Sequence, residues 1–375
     1  MSLNNGQKHF LFLVNNYPPK TGGVENHVYN LAKSLVNLGQ LCTVVTLSKE
    51  PSHSIEDGIS VIRIKRGFGF GDVISFPTFL GFQKVNSIIE DLQPSVLSTH
   101  TRFFPMTWIG VFLGRKNRIP VVHTEHGSGF VRGVGFLVGL MSRAVDLTLG
   151  KYSLRNSTLV LAVSENVADF VYKLAKIQSE IFYNAVDLST QEVSNQKLIS
   201  SGNPRFVFVG RLVPGKGADK TLKAIALLKE DGFSPTLELL GDGSEMPNLQ
   251  LLANKLGLTD EALFKGKVSQ YEVMRTLSSS VYVNPTELSE GFQTTLLEAV
   301  AAGAQVVTYN APGVAKLVSQ GAPVRVVTSD SVDSLAKTLN DAVSHPLPKI
   351  QPSLLEFWSW EYRAKEYLQI TDLPA

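Results

Sequence analysis

"RFVFVGRLVPGKGADKTLKAIALLKE", residues 205–230, is the stretch on which the fold turns. The apolar run Arg205 to Val209 reads as a strand and Ala218 to Glu230 as a helix, with "GRLVPGKG" between them. A glycine, four residues and Gly-Lys directly after a strand is nearly the nucleotide-triphosphate P-loop, whose next position is Ser or Thr to hold magnesium. Here that position is Gly217, and no clear partner aspartate accompanies it. The segment therefore reads as a strand, loop and helix that hold an anion in another way.

Outward from this unit the same alternation repeats. "FVFVG", "LELLG", "SVYVNP", "QVVTY" and "VRVV" follow one another after Arg205, with helix-like segments between. Before it come "HFLFLV", "LCTVVTL", "SVIRI", "SVLSTH", "PVVHTE" and "STLVLAVS". The helix-like "VENHVYNLAKSLVNLG" carries Val24, Val28, Leu31, Leu35 and Leu38 at helical spacing. Alternation of this kind predicts mostly parallel, doubly wound α/β sheets. The polar run 189–205 breaks the pattern and reads as a linker. The expected domains are 1–195 and 205–352, followed by a C-terminal helical segment, 353–375. A chain of 375 residues is long enough for two cores.

Composition narrows the function classes. With 43% hydrophobic and 18% charged residues and a net charge of +2, the chain gives no reason to expect a nucleic-acid partner. Its single cysteine, Cys42, excludes an internal disulfide and a cysteine-rich zinc site, and fits a reducing cytoplasm. The N-terminal "FLFLV" is too short for a secretion signal, so no export is expected. Residues 111–155 hold Arg115, Lys116, Arg118, Arg132, Arg143, Lys151 and Arg155 against only Glu125 and Asp146. Two apolar stretches, "FFPMTWIGVFLG" and "GVGFLVGLMS", lie beside this basic excess. Each falls short of the ~20 residues that span a bilayer, so the expectation is that they lie on one. A core helix of the first domain is the competing reading.

Ligands of doubly wound sheets bind beyond the carboxyl ends of the strands. Three such exits in the second half carry matching chemistry: Arg211 and Lys216 in "GRLVPGKG", Gly241 and Gly243 in "GDGSE", and Glu290 and Glu298 in "NPTELSEGFQTTLLEA". Arg, Lys and a helix N-terminus together make an anion site. Glu298, about five residues past a helix start near Gln293 and so roughly 7.5 Å along the axis, reaches ribose hydroxyls, which a carboxylate accepts in pairs. In isolation Arg211 reads equally as a surface ion pair and Glu298 as an exposed helix carboxylate. The paired Gly22 and Gly23 before the first helix read alone as a bare turn.

"NNYPPKTGGVENHVYNLAKSL", "FVGRLVPGKG", "LLGDGSE" and "SEGFQTTLLEA" together resemble the retaining, nucleotide-sugar-dependent glycosyltransferases of the GT-B fold, family four. The resemblance runs from about Phe10 to the C-terminal "FWSWEYRAKEYLQI". It implies two Rossmann-like doubly wound domains facing across a cleft, with a C-terminal helix crossing back to the first. It further implies that Arg211 and Lys216 grip the donor diphosphate, Glu298 holds the ribose, and Glu290 holds donor-sugar hydroxyls. Gly291, Phe292, Gln293 and Thr294 would present backbone amides to the phosphates. Gly22 and Gly23 would wall the donor cleft, and His126 in "HTEHG" would lie near the reacting carbon. The donor implied is a UDP- or GDP-sugar. The acceptor expected is a glycan or lipid-linked hydroxyl, and the location cytoplasmic, peripheral on the inner membrane face. No metal is expected, the chain having no Asp-x-Asp. Lys316, Gln293 and Ala185 depart from the usual pattern, the first two at positions that bear on the donor sugar. The competing functions are a sugar-nucleotide epimerase or phosphorylase on the same fold, and an inactive binding subunit.

Overall fold

Nine strands form the first sheet: β1 (His9–Leu13), β2 (Leu41–Ser48), β3 (Ser52–Glu56), β4 (Ile59–Phe70), β5 (Ile74–Pro77), β6 (Val96–His100), β7 (Val121–Glu125), β8 (Leu159–Ala162) and β9 (Glu180–Ile181). Their order is β3-β4-β2-β1-β6-β7-β8-β9, with β5 paired to β4. Every pairing from β4 through β9 along this path is parallel, and only β3 and β5 join β4 antiparallel. The computed structural model describes residues 6–20, 22–70, 74–131, 135–188, 203–288 and 290–372. Most of the polar run read as a linker, 189–202, lies outside them.

The central strand shows why the sheet is covered on both faces. Phe10 and Phe12 enter one core cluster, and Leu11 and Leu13, pointing the opposite way, enter the other. The helix Gly23–Asn37 closes the first face through Val28, Leu31, Ala32 and Leu35, an i, i+3, i+4, i+7 stripe. The helix Pro105–Asn117 closes the second through Met106, Val111 and Leu113. This corrects one expectation: "FFPMTWIGVFLG" is a core helix, because both its neighbours in the sheet need an apolar cover. The second apolar stretch behaves differently. The helix Phe136–Val145 buries none of its residues.

The second sheet comprises β10 (Arg205–Val209), β11 (Thr236–Leu240), β12 (Ala262–Gly266), β13 (Val281–Asn284), β14 (Gln305–Thr308) and β15 (Val324–Val326). All are parallel, in the order β12-β11-β10-β13-β14-β15. That is the 3-2-1-4-5-6 order of dinucleotide-binding sheets. Phe206, Phe208, Leu237, Leu239, Val281, Val283 and Val307 make its core with the flanking helices.

Two compact units result, one running to Ala185 and resuming at Trp360, the other Val186–Ser359. The C-terminal segment is therefore divided rather than one helix from 353. Pro352–Glu356 is a short helix of the second unit, where Trp358 is fully buried and donates to Gln320 Oε1 at 2.6 Å. Trp360–Ile370 is a helix of the first unit, with Trp360, Ala364 and Tyr367 in its core. The two tryptophans serve different cores, and the helix breaks between them.

Candidate active site

In each unit the strand order reverses beside the central strand, and the crevice at that reversal is where such sheets take ligands. In the second unit the reversal lies between β10 and β13. The loops leaving these strands are "GRLVPGKG" and "NPTELSEG". They are tied together by backbone: Glu287 N donates to Gly215 O at 2.8 Å, and Leu212 N to Asp242 O, in the loop after β11, at 2.9 Å. Gly217, at φ +88°, caps the helix Ala218–Glu230, and a Cβ there would fall on the Pro285 carbonyl. The Gly in place of the P-loop Ser or Thr thus has a steric cause: two loops cross at that point.

This crossing brings Lys216 to Glu290, Nζ to Oε1 at 2.5 Å, both partly buried. Glu290 precedes the helix Thr294–Ala301, whose N-cap Gln293 makes no side-chain capping bond. Gln293 instead turns inward and accepts from Asn284 Nδ2 at 2.5 Å. The N-cap residue therefore adds no side-chain cap of its own to the helix end. Glu298 sits one turn further along this helix, partly buried. Burial raises its carboxyl above the ordinary range, against a smaller opposing effect of a hydrogen bond with Gln270. Burial pushes the phenol of Tyr282, in β13, above its ordinary range, and the charges of Glu298 and Glu290 add to this. Arg211 is exposed on the β10 exit. Phe292 packs its ring toward Trp358, centroids 6.0 Å apart, and closes on Gly313, where a Cβ would strike it. Lys316 lies over the Phe357 ring at 5.4 Å.

The first unit holds the remaining predicted residues, Gly22, Gly23 and His126. Gly22 is the extended N-cap of the helix Gly23–Asn37, and a side chain at Gly23 would meet nothing within 4 Å. His126 follows β7 directly, and its Nε2 lies 3.2 Å from Nδ1 of His100, the last residue of β6. His27, on the helix Gly23–Asn37, stands 4.8 Å from His126, ring centre to ring centre, at right angles. Burial lowers His27 to about 4 and takes His100 and His126 well below the ordinary imidazole range, the neighbouring imidazoles adding to the effect.

The family described as Glycosyltransferase Family 4 matches residues 21–190, and the one described as Glycosyl transferases group 1 matches residues 189–353. The chain belongs to the GT-B glycosyltransferases. It is similar to an uncharacterized glycosyltransferase of Methanocaldococcus jannaschii, 24% identical over 94% of this chain and 95% of the relative. The alpha-monoglucosyldiacylglycerol synthase of Streptococcus pneumoniae is 24% identical over 81% of this chain and 71% of that one. Among solved structures, Anabaena Alr3699/HepE in complex with UDP superposes with a TM-score of 0.74 at 19% identity, over 96% of this chain and 99% of that chain. The likeness to it is one of fold.

Within this glycosyltransferase, the loop that carries His126 is fixed by a buried ionic network that sequence reading did not find. Glu125 Oε1 accepts from the amides of His126 (3.1 Å) and Gly127 (2.7 Å) and from Arg102 Nη1 (2.9 Å). Arg102, 1% exposed, also donates to Gly129 O at 2.9 Å and Asp146 Oδ2 at 3.1 Å. Burial alone would raise the Glu125 carboxyl; Arg102, His123 and the Gly127 amide hold it well below the usual carboxylate range. The available signal was three charged residues within or bordering apolar strands and helices, where charges are buried only in pairs. His27 and His100 were missed for a different reason. They are far apart in sequence, and only the fold gathers them with His126.

Proposed function

We propose that this glycosyltransferase retains anomeric configuration while moving a hexosyl group from a UDP- or GDP-sugar to a hydroxyl of a lipid-linked or cell-envelope acceptor. The observation that carries this reading is the Lys216–Glu290 pair at 2.5 Å, set at the strand-order reversal beside a helix end without a side-chain cap. A diphosphate entering there meets the Lys216 charge, Arg211 and the amides of Gly291 to Thr294. Glu290 is left to accept from sugar hydroxyls and Glu298 from the ribose. As the bond from C1 to the diphosphate oxygen breaks, charge grows on the leaving group, and these fixed donors bind it more tightly than in the ground state. The acceptor oxygen bonds to C1 on the same face, and its proton passes to a diphosphate oxygen. No metal takes part in this scheme, and Gly22, Gly23 and His126 remain the first unit's candidate residues, as the family resemblance implies. Glu290 as a covalent nucleophile is the secondary mechanism.

A UDP donor is supported by the Anabaena structure, which holds UDP, and a lipid acceptor by the name of the Streptococcus synthase. No nucleic-acid partner is proposed. Peripheral membrane attachment, proposed for the inner face, is supported by the helix Phe136–Val145. Its Phe136, Leu137, Val138, Leu140 and Met141 are all exposed, alongside Arg143. Among the described residues no helix is long and apolar enough to cross a membrane.

The test uses labelled UDP- and GDP-sugars with membrane and soluble acceptor fractions, followed by product identification and the anomeric configuration by NMR. Retained configuration in an EDTA-insensitive transfer is the expected result. A free epimerised sugar or a sugar phosphate product would instead indicate the epimerase or phosphorylase. Nucleotide binding without turnover on any acceptor would indicate a binding subunit.

A further inference from the structure

We propose that His27, His100 and His126 form a binding site for one borderline divalent transition-metal ion, of which zinc is the chemical type. The three residues come from a helix, the end of one strand and the exit of its neighbour, and one nitrogen of each lies within 4.8 Å of one from both others. The nitrogens of His27 are assigned by their surroundings. His27 Nδ1 lies 2.7 Å from Asn184 Oδ1, an acceptor, so it carries the proton and its Nε2 bears the lone pair. That Nε2 is buried and has no hydrogen-bond partner among the described residues. A buried polar atom left unsatisfied is costly, and coordination would remove that cost.

The His100 ring is oriented as well: its Nε2 lies 3.2 Å from Ser98 Oγ, a hydroxyl that accepts from the Tyr367 hydroxyl at 3.0 Å and can donate to or accept from the ring, and its Nδ1 faces His126. Two of the three rings thus have the outer hydrogen bond that orients a metal-ligating histidine. The Nδ1 to Nε2 distance of 3.2 Å between His100 and His126 matches the ~3.3 Å edge of a tetrahedral zinc site with ligands at about 2.0–2.1 Å. The His27 nitrogen, within 4.8 Å of the others, has to close by up to about 1.5 Å to reach that edge. Three histidines and an open fourth position suit zinc and its neighbours and offer nothing to magnesium or calcium, which take oxygen ligands.

Binding would remove the His126 ring from the donor sugar, so zinc would inhibit transfer; this consequence, unlike the site, rests on the role proposed for His126. The experiment is a zinc titration of the metal-free full chain against a chromophoric competitor, paired with the cobalt(II) absorption spectrum. One equivalent is expected, undiminished by excess magnesium and retained in His53→Ala/His345→Ala, which removes two exposed histidines. Asn184→Ala should weaken it about tenfold, and His27→Asn or His100→Asn by more than the about 10–100-fold typical of outer-shell changes. Where a histidine variant does not fold, the intense ligand-field bands of four-coordinate cobalt in the unsubstituted chain stand in its place. Absence of stoichiometric zinc, a six-coordinate cobalt spectrum, or loss of binding in the His53/His345 variant would overturn the site. UDP affinity measured on the same samples separates this result from the donor assignment, since the nucleotide contacts lie on the second unit.

Discussion

At the scale of single residues the decisive pair is Lys216 and Glu290, because their charges are matched to each other before any donor arrives. On the proposed donor site, Lys216→Ala would remove a cation from the diphosphate and leave the Glu290 carboxylate facing it. The expected loss of UDP or GDP affinity by calorimetry is about 1–3 kcal/mol, the size of one charged hydrogen bond. Lys216→Ala combined with Glu290→Gln should lose less than the single Lys216 change, since the repulsion is gone; additive losses would sink the coupling. Glu298→Gln keeps the shape and gives up half of the paired acceptor, so it should weaken nucleotide binding by about 1 kcal/mol. Its raised carboxyl adds a pH signature. Protonation removes the acceptor, so nucleotide affinity should fall as the pH drops through a value above the ordinary carboxylate range, and this fall should vanish in Glu298→Gln.

Among the elements, two helices carry testable consequences of opposite kind. The helix Phe136–Val145 exposes Phe136 by 83% and Leu137 by 71%, more than a protein surface ordinarily leaves in one contiguous patch. Co-sedimentation with anionic vesicles at low salt is expected, weakening with salt and with Arg143→Glu, and abolished by Phe136→Ser/Leu137→Ser/Met141→Ser. Arg132, in the same basic run, lies outside the described residues. No vesicle binding at low salt would make a soluble acceptor the better reading. The helix Trp360–Ile370 is the reverse case, since its apolar side is spent on the core of the first unit. Tyr367→Ala should cost about 3–5 kcal/mol in chemical denaturation. Tyr367→Phe, which forfeits only the Ser98 hydrogen bond, should cost about 1 kcal/mol.

For the molecule as a whole, the histidine cluster predicts how stability follows pH in metal-free protein. His27 titrates at about 4 in the folded chain against 6.5 unfolded, so between these values the unfolded chain binds the extra proton. Stability is therefore undiminished above 6.5 and is lost as the pH falls toward 4. This one group accounts for about 3 kcal/mol, and His100 and His126 act in the same direction. Calorimetric melting between pH 7 and pH 4 measures it. A His27→Asn variant with an unchanged slope would show that the buried imidazole is not the cause.

Local chemistry was legible from the chain alone. Alternating apolar runs and helical stripes specify parallel sheets because strand and helix periods differ, and Arg211, Lys216, Glu290 and Glu298 on the exits of β10 and β13 supply, by residue type and spacing, the expectation of an anion site. What the chain could not declare were relations between distant segments. Neither the antiparallel additions β3 and β5 nor the division of the C-terminal segment between two cores follows from local pattern. The two apolar stretches near the basic run look alike in sequence, and one is core while the other is exposed. Packing made that choice, because only the helix Pro105–Asn117 has a sheet face to cover. The ion network of Arg102, Glu125 and Asp146 and the grouping of His27, His100 and His126 belong to the same class. Each joins residues separated by more than a dozen positions, and such contacts exist only once parallel strand order brings neighbouring exits to one edge of the sheet.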